Sequence, residues 1–286
     1  MIDQKPVVVG IGELLWDMFP TGKRAGGAPA NFVYHATQLG MQGYAISAVG
    51  KDALGAEILQ ELDKNHINYF CEQIDYPTGT VKVELNNGQP SYTIIENVAW
   101  DHIPLSAKAM ELVAKADAVC FGTLALRNAD SQKTILTLLD KTPSKALRFF
   151  DINLRQHYYS KELIEELLQK ANIFKINDDE IAVMKEMFAL QGTENDLCKW
   201  FLEKYNLRYV VLTAGDKYSV IYSKEGVSRL DTPKVKVADT VGAGDSFSGA
   251  FVAGILAGKT MQEAHAQAVK TAAFVCSKTG AWPAYN

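Results

Sequence analysis

Residues 239–254, DTVGAGDSFSGAFVAG, set an acid against a run of bare backbone at the mouth of an apolar segment. If a helix begins near Gly242, the N–H groups of Gly242, Ala243 and Gly244 have no intrahelical acceptor, and small residues let an anion come close to them. That arrangement is an anion hole. Asp245 would stand beside a phosphoryl group bound there, placed to take the proton from an attacking hydroxyl. Phosphoryl transfer needs positioning and charge stabilisation more than covalent chemistry, so glycines and one acid suffice on the protein side, with Mg²⁺ supplying further positive charge. The plain alternative is an Asp245 that only complements a helix dipole.

Other polar clusters follow apolar runs. Glu13 and Asp17 lie in GELLWDMFP after PVVVGI; DINLR, residues 151–155, follows ALRFF; NDDE, residues 177–180, follows NIFKI; TAGDK, residues 213–217, follows RYVVL. Open parallel sheets bind ligands beyond the carboxyl ends of their strands, so these clusters argue for one shared cleft. Each also has a structural reading. Asn177 with Glu180 three residues on reads as a helix cap with a reciprocal Glu, or as a metal and phosphate ligand pair. Asp151, Asn153 and Arg155 alternate on one face of an extended segment, as a solvated strand end with an ion pair would. Asp17, between Trp16 and Phe19, reads equally as a lone turn acid. Lys23 and Arg24 read as solvated loop charges.

Two nucleotide motifs fail on context. VVVGIGELLWDMF lacks the third glycine of a dinucleotide fingerprint, and Pro20 and Gly22 interrupt the helix that should follow. GILAGKT resembles a P-loop, but the first glycine would fall on Ala253, and Gly258 follows a helix, where it reads as a C-cap.

The elements that must position these residues alternate between β-branched runs and amphipathic helical patterns, such as YAISAVG followed by DALGAEILQELDKNH with Leu54, Ile58 and Leu62 at helical spacing. The alternation resumes from DAVCFGT to RYVVLTAG. It predicts an α/β fold with a mostly parallel sheet covered by helices on both faces. From Ile67 to Ile95 the pattern is strand without helix, and TVKVELNNGQPSYTII reads as two antiparallel strands around an Asn-Gly turn at Asn87 and Gly88. The expectation is a single domain over residues 1–286, with a small β-strand lid formed by about residues 12–22 and 67–100. An exposed lid edge could also pair two copies into a homodimer.

A chain of 286 residues with 48% hydrophobic and 22% charged residues can bury a sizeable core. The net charge of −4 comes with no basic run, which argues against nucleic acid and anionic membranes as partners. The start, MIDQKPVVVG, lacks a signal-peptide pattern and no apolar run is long enough to span a bilayer, so a cytoplasmic protein is expected. Cys71, Cys120, Cys198 and Cys276 lie far apart and no Cys/His ligand spacing occurs, which reads as reduced thiols without structural zinc.

AGGAPANFVYHATQLG, residues 25–40, and DTVGAGDSFSGA, residues 239–250, resemble in this order the two signatures of the ribokinase-like sugar kinases, also called the phosphofructokinase-B family. The resemblance covers essentially the whole chain. GELLWD, GGAPAN and ENVAWDHI (residues 96–103) look most like bacterial-type fructokinases within it. The resemblance implies a ribokinase-like fold and an ATP-dependent, Mg²⁺-requiring sugar kinase, with fructose as the expected substrate. The alternatives are another sugar, a sugar acid such as 2-keto-3-deoxygluconate, or a nucleoside; a non-catalytic sugar sensor on the same fold is the alternative of another class. By resemblance Asp245 is the base and Gly242, Ala243 and Gly244 the anion hole. Asp17, Gly27 and Asn31, with Glu13 as a weaker candidate, match sugar-contacting positions; a carboxylate with an amide suits vicinal hydroxyls. Asn177 and Glu180 match an N-x-x-E element that organises Mg²⁺ and phosphates largely through water. Arg155 matches an arginine near the transferred phosphate or substrate, and Thr213 and Gly215 match a nucleotide loop. That loop often carries a second glycine where Tyr218 stands here. Family members often bind a monovalent cation near the DTVGAGD and SKTGAWPA segments; Asp239 and Ser277 leave K⁺ open.

Overall fold

The computed structural model describes residues 5–86 and 89–285. In chain order, β1 (Val7–Ile11), β2 (Leu15–Phe19) and β3 (Gly22–Gly26) precede α1 (Ala28–Gln38), β4 (Gln42–Gly50), α2 (Ala53–Lys64), β5 (Asn68–Ile74), β6 (Gly79–Asn86) and β7 (Gln89–Ile94). Then come α3 (Ala107–Val113), β8 (Ala118–Phe121), α4 (Ala129–Lys141), β9 (Leu147–Asp151), α5 (Lys161–Lys170), β10 (Ile173–Asn177), α6 (Asp178–Met187) and α7 (Glu194–Lys204). The chain closes with β11 (Tyr209–Ala214), β12 (Tyr218–Ser223), β13 (Gly226–Asp231), α8 (Ala243–Leu256) and α9 (Met261–Cys276).

A nine-stranded sheet runs in the order β13-β12-β11-β10-β9-β8-β1-β4-β5, parallel from β11 to β5 and antiparallel at β12 and β13. Helices bury both faces, so the inner strands are near-continuously apolar. Consecutive side chains go to opposite cores: Phe149 shares a core with Phe32 of α1 and Phe251 of α8, whereas Phe150 shares another with Leu138 of α4, Leu167 of α5 and Phe201 of α7. Local signals start the helices. Asp52 Oδ1 accepts from the Gly55 N–H at 2.7 Å to begin α2, whose Ile58 and Leu62 are fully buried. Gly258, just beyond α8, has φ 79°, as a glycine past a helix end requires. After β1 comes another strand, β2, in place of the helix a dinucleotide fingerprint needs. No helix among the described residues is long and apolar enough to cross a membrane.

A second sheet, ordered β3-β2-β6-β7, lies apart from the first. Its β2 and β6 are parallel, while β2–β3 and β6–β7 are antiparallel. The expected Asn-Gly turn at Asn87 and Gly88 lies outside the described residues; the flanking pair is Asn86 with Gln89. The segment expected in the lid divides, because β5 pairs in parallel with β4 at the edge of the large sheet. The physical reason is α2, the crossover that a parallel β4–β5 pair demands. On the other side the small sheet extends past residue 22 to Gly26, so Lys23 and Arg24 sit on β3. They are paired there: Arg24 Nη1 meets Asp239 Oδ2 at 2.6 Å and Lys23 bonds Glu57, in contrast to the expected solvated loop charges.

Residues 96–103, one of the features that resemble fructokinases, act as a brace. Asp101 and Arg127 form a buried bidentate pair at 2.7 and 2.8 Å, and the Arg127 guanidinium lies 3.9 Å from the Trp100 ring centre.

Candidate active site

The first turn of α8 carries the acid that the sequence singles out. Gly242 caps the helix in a left-handed conformation, φ 75°, and a Cβ there would sit 2.8 Å from the Ala281 methyl. One part of the expected anion hole differs: the Ala243 N–H donates to the Thr240 carbonyl at 3.2 Å, because residues 240–243 form a turn into the helix. Among the described residues, no protein acceptor engages the N–H groups of Gly242 and Gly244. Beneath Gly244 lies a cation. A Cβ at Gly244 would be 3.3 Å from Lys175 Nζ, and that ammonium, buried in the middle of β10, bonds Asp151 Oδ2 at 2.7 Å. Ser248 Oγ adds a 3.3 Å contact to the same carboxylate oxygen. Facing charges hold the Lys175 pKa above its ordinary value against the opposing effect of burial.

Asp245 Oδ2 accepts from Asn31 Nδ2 at 2.7 Å, and Asn31 Oδ1 in turn accepts from the Trp282 indole N–H at 2.8 Å. Asn31 reaches this place because α1 starts at Gly27, whose φ of 128° and close approach to the Glu13 carbonyl exclude a side chain; a Cβ would be 2.2 Å from that oxygen. Glu13 Oε1 accepts from the Ala28 N–H at 3.1 Å. Asp17, on β2, shares the cleft. All three acids hold their protons more tightly than usual. Desolvation raises Glu13 to about 7 and Asp245 to about 6, helped by Asp245 on the former and Asp151 on the latter, with Arg155 opposing both. Desolvation likewise raises Asp17 to about 6 against Arg155 and Arg24.

The shift on Glu13 makes a stability prediction. A carboxyl whose folded pKa lies above its unfolded one costs nothing below about 4.5 and its full ionisation penalty above about 7. Glu13→Gln removes that penalty and keeps an acceptor for Ala28. Its melting temperature should therefore gain on the wild type progressively from pH 4.5 to pH 7.5, in paired thermal melts; a difference that is flat with pH contradicts the assignment.

DINLR does not stay extended. β9 ends at Asp151, whose side chain meets Lys175, and Asn153 then takes φ 42°, so that the chain bends and Arg155 is exposed, its Nη1 on the Leu154 carbonyl at 3.0 Å. Asn177 and Glu180 form the capping box: Asn177 Oδ1 accepts from the Glu180 N–H at 2.8 Å, and Glu180 Oε2 from the Asn177 N–H at 2.9 Å. Glu180 Oε1 also accepts from the Leu154 N–H at 2.9 Å, tying the Arg155 loop to α6. Burial first, then Asp151, raises the Glu180 pKa. No group of three or more His, Cys, Asp or Glu among the described residues could hold a metal directly. With both Glu180 oxygens already accepting N–H bonds, the element fits a Mg²⁺ that keeps its waters and is anchored by phosphates.

A cavity of about 580 Å³ opens on the other side of the α8 N-terminus, reaching Ala243 and Gly244. Thr213 and Gly215 line it at the end of β11, with Pro233, Val235, Phe247 and Val269 among its apolar walls. Tyr218 also lines it, its hydroxyl on Glu194 at 2.7 Å and its ring 3.7 Å from the Arg229 guanidinium. Its volume and largely apolar walls, open at the helix terminus, are those of a small-molecule site. Asp239 is engaged by Arg24 and by the N–H groups of Val241 and Gly280, both at 3.1 Å, and Ser277 Oγ donates to the Phe274 carbonyl.

The structure thus groups Asp245, Asn31, Glu13 and Gly27 at the α8 and α1 termini, with Arg155 acting on Glu13, Asp17 and Asp245; Thr213 and Gly215 line the separate cavity that reaches Gly244, and Glu180, capped with Asn177, bonds the loop before Arg155. Sequence reasoning missed Lys175 and Trp282. The signal for the first was present: a lysine inside NIFKIN, an otherwise apolar central strand, must be paired if buried.

A family model described as pfkB family carbohydrate kinase matches residues 1–284. The ATP-dependent 6-phosphofructokinase of Thermoanaerobacterium thermosaccharolyticum is 29% identical over 279 residues, covering 91% of this chain and 85% of that protein. The fructokinase of Rhizobium leguminosarum bv. trifolii is 27% identical over 270 residues, covering 89% and 80%. In fold, the crystal structure of ribokinase from Thermotoga maritima superposes with a TM-score of 0.78 at 22% identity, over 97% of this chain and 95% of that one. The fold is ribokinase-like.

Proposed function

The chain belongs to the pfkB family of carbohydrate kinases, and on that premise we propose that it is a fructokinase, transferring the γ-phosphoryl group of ATP to the 6-hydroxyl of fructose. The observation that carries the reading is Asp245, held by Asn31 at 2.7 Å beside free N–H groups at the α8 terminus, between a cavity of about 580 Å³ and the buried acids Glu13 and Asp151. Asp245 takes the hydroxyl proton as the sugar oxygen bonds to the γ-phosphorus and the bond to the β-phosphate oxygen breaks, releasing ADP. The N–H groups of Gly242 and Gly244, with Lys175 beneath them, stabilise the charge on the transferred group. Glu13, Asp17 and Asn31 bind sugar hydroxyls, and Gly27 lets the sugar approach the backbone. Asn177 and Glu180 would hold a hydrated Mg²⁺, whose contribution is to neutralise phosphate charge. Arg155 faces the cleft from its rim, Thr213 and Gly215 contact the nucleotide, and the β3-β2-β6-β7 sheet closes over the sugar to exclude water.

Charge chooses the sugar. Among the nearby cations, Arg24 is taken by Asp239, Lys23 by Glu57 and Lys175 by Asp151, which leaves Arg155 against Glu13, Asp17 and Asp245. An anionic substrate would meet like charge in a partly desolvated cleft. At fixed ATP and Mg²⁺, kcat/KM for fructose should exceed that for fructose 6-phosphate and for 2-keto-3-deoxygluconate by about 10-fold or more, the effect of one unfavourable charge contact. A preference for either anion would overturn the choice of sugar and leave the kinase reading standing.

A further inference from the structure

Residues 281–285 lie against both elements that build the site. Tyr34 OH donates to the Pro283 carbonyl at 2.7 Å, and Trp282 Nε1 to Asn31 Oδ1 at 2.8 Å. The His35 Nε2 donates to the Ala281 carbonyl at 2.9 Å, which leaves Nδ1 to accept from the Tyr285 hydroxyl at 2.8 Å. Ala281 packs on Gly242 at the α8 cap. The C-terminal segment therefore spans from the α1 face to the anion hole.

We propose that Trp282 is a positioning residue for the base: its indole N–H pins the Asn31 amide so that this amide can only donate to Asp245. The reasoning is in the two ends of the amide. An Asn free to turn offers N–H to a carboxylate and C=O to a carboxylic acid, and so stabilises both protonation states of its neighbour. Asn31 is 4% exposed, and its oxygen is already committed to Trp282. Turning it would leave the half-buried indole N–H facing an NH₂ group, two donors without an acceptor. The pinned amide thus favours only the ionised base, the form that can accept the sugar proton. The other charged groups facing Asp245 are Asp151 on β9, Lys175 on β10, Arg155 in the loop after β9 and Glu13 after β1. None touches Trp282 in the described contacts, so changing the indole isolates the amide.

This inference rests on Asp245 being the base, and its test separates the two. Trp282→Phe keeps the ring and loses the donor, and site-specific replacement of Trp282 by 3-benzothienylalanine loses the N–H alone. Both should move the acid limb of the kcat/KM profile to higher pH by about half a unit to one unit, lowering the rate near pH 6 by about 3–10-fold while leaving it within about 2-fold above pH 8.5. In an Asn31→Ala background, Trp282→Phe should shift the limb no further. A uniform loss at every pH, an unchanged profile, an additive shift in the Asn31→Ala background, or failure of both Trp282 variants to fold would overturn the proposal. If Asp245→Asn retains normal turnover, the base reading itself fails; if Asp245→Asn is inactive and the Trp282 variants are normal, only this inference does.

Discussion

Asp245→Asn should lower kcat by about 10²–10⁴-fold, the range of a lost general base, while the KM values for sugar and ATP stay within a few-fold. The substitution is nearly isosteric and keeps an oxygen toward Asn31, so binding is preserved and proton removal is lost. Fold loss is no rival explanation. Burial already raises the Asp245 pKa to about 6, so replacing its charge by a neutral amide relieves a desolvation penalty at pH 8. The variant should melt no lower than the wild type there. Steady-state ADP release with a paired thermal melt decides it: a folded variant with near-normal kcat removes Asp245 from the chemistry.

Lys175→Met should show a second large effect, on stability and turnover together. Its ammonium and the Asp151 carboxylate are each 8% exposed and 2.7 Å apart, so removing the lysine strands a buried carboxylate with little more than Ser248. Breaking such a pair costs about 3–5 kcal/mol, and a drop in melting temperature on the order of 10 °C is expected. The double variant Lys175→Met with Asp151→Leu removes both charges and should recover most of that loss. Turnover should not recover, because the ammonium beneath Gly244 is absent in both. A single variant that melts like the wild type would contradict the structural role of the pair, and a double variant with restored kcat would show that the lysine serves only the fold.

The two halves of this site differed in how readable they were. The anion hole and Asp245 are contiguous, so the glycines and the acid could be read as one helix terminus. The N-x-x-E element was legible for the same reason, and the structure realises its capping reading in full. Lys175 and Asp151 are 24 residues apart and Trp282 and Asn31 are 251 apart, so only the packing of β9 beside β10 and of the C-terminal segment on α1 joins them. Strand pattern located β5, but its sheet depended on the crossover through α2, which local alternation does not encode. The Ala243 N–H was misassigned because its partner, Thr240, is set by turn geometry. Lys23 and Arg24 looked unpaired because their acids, Glu57 and Asp239, come from distant segments.

The central claim is that Asp245 drives phosphoryl transfer from ATP to a neutral sugar. Phosphorus NMR of wild-type protein and Asp245→Asn, each incubated with ATP, Mg²⁺ and fructose, tests it most directly, because it identifies the acceptor as well as the rate. The wild type should convert ATP to ADP with an equal amount of a hexose phosphate ester, and the variant should leave ATP essentially intact over the same period. Release of inorganic phosphate without an ester, or equal ester formation by both proteins, would contradict the account.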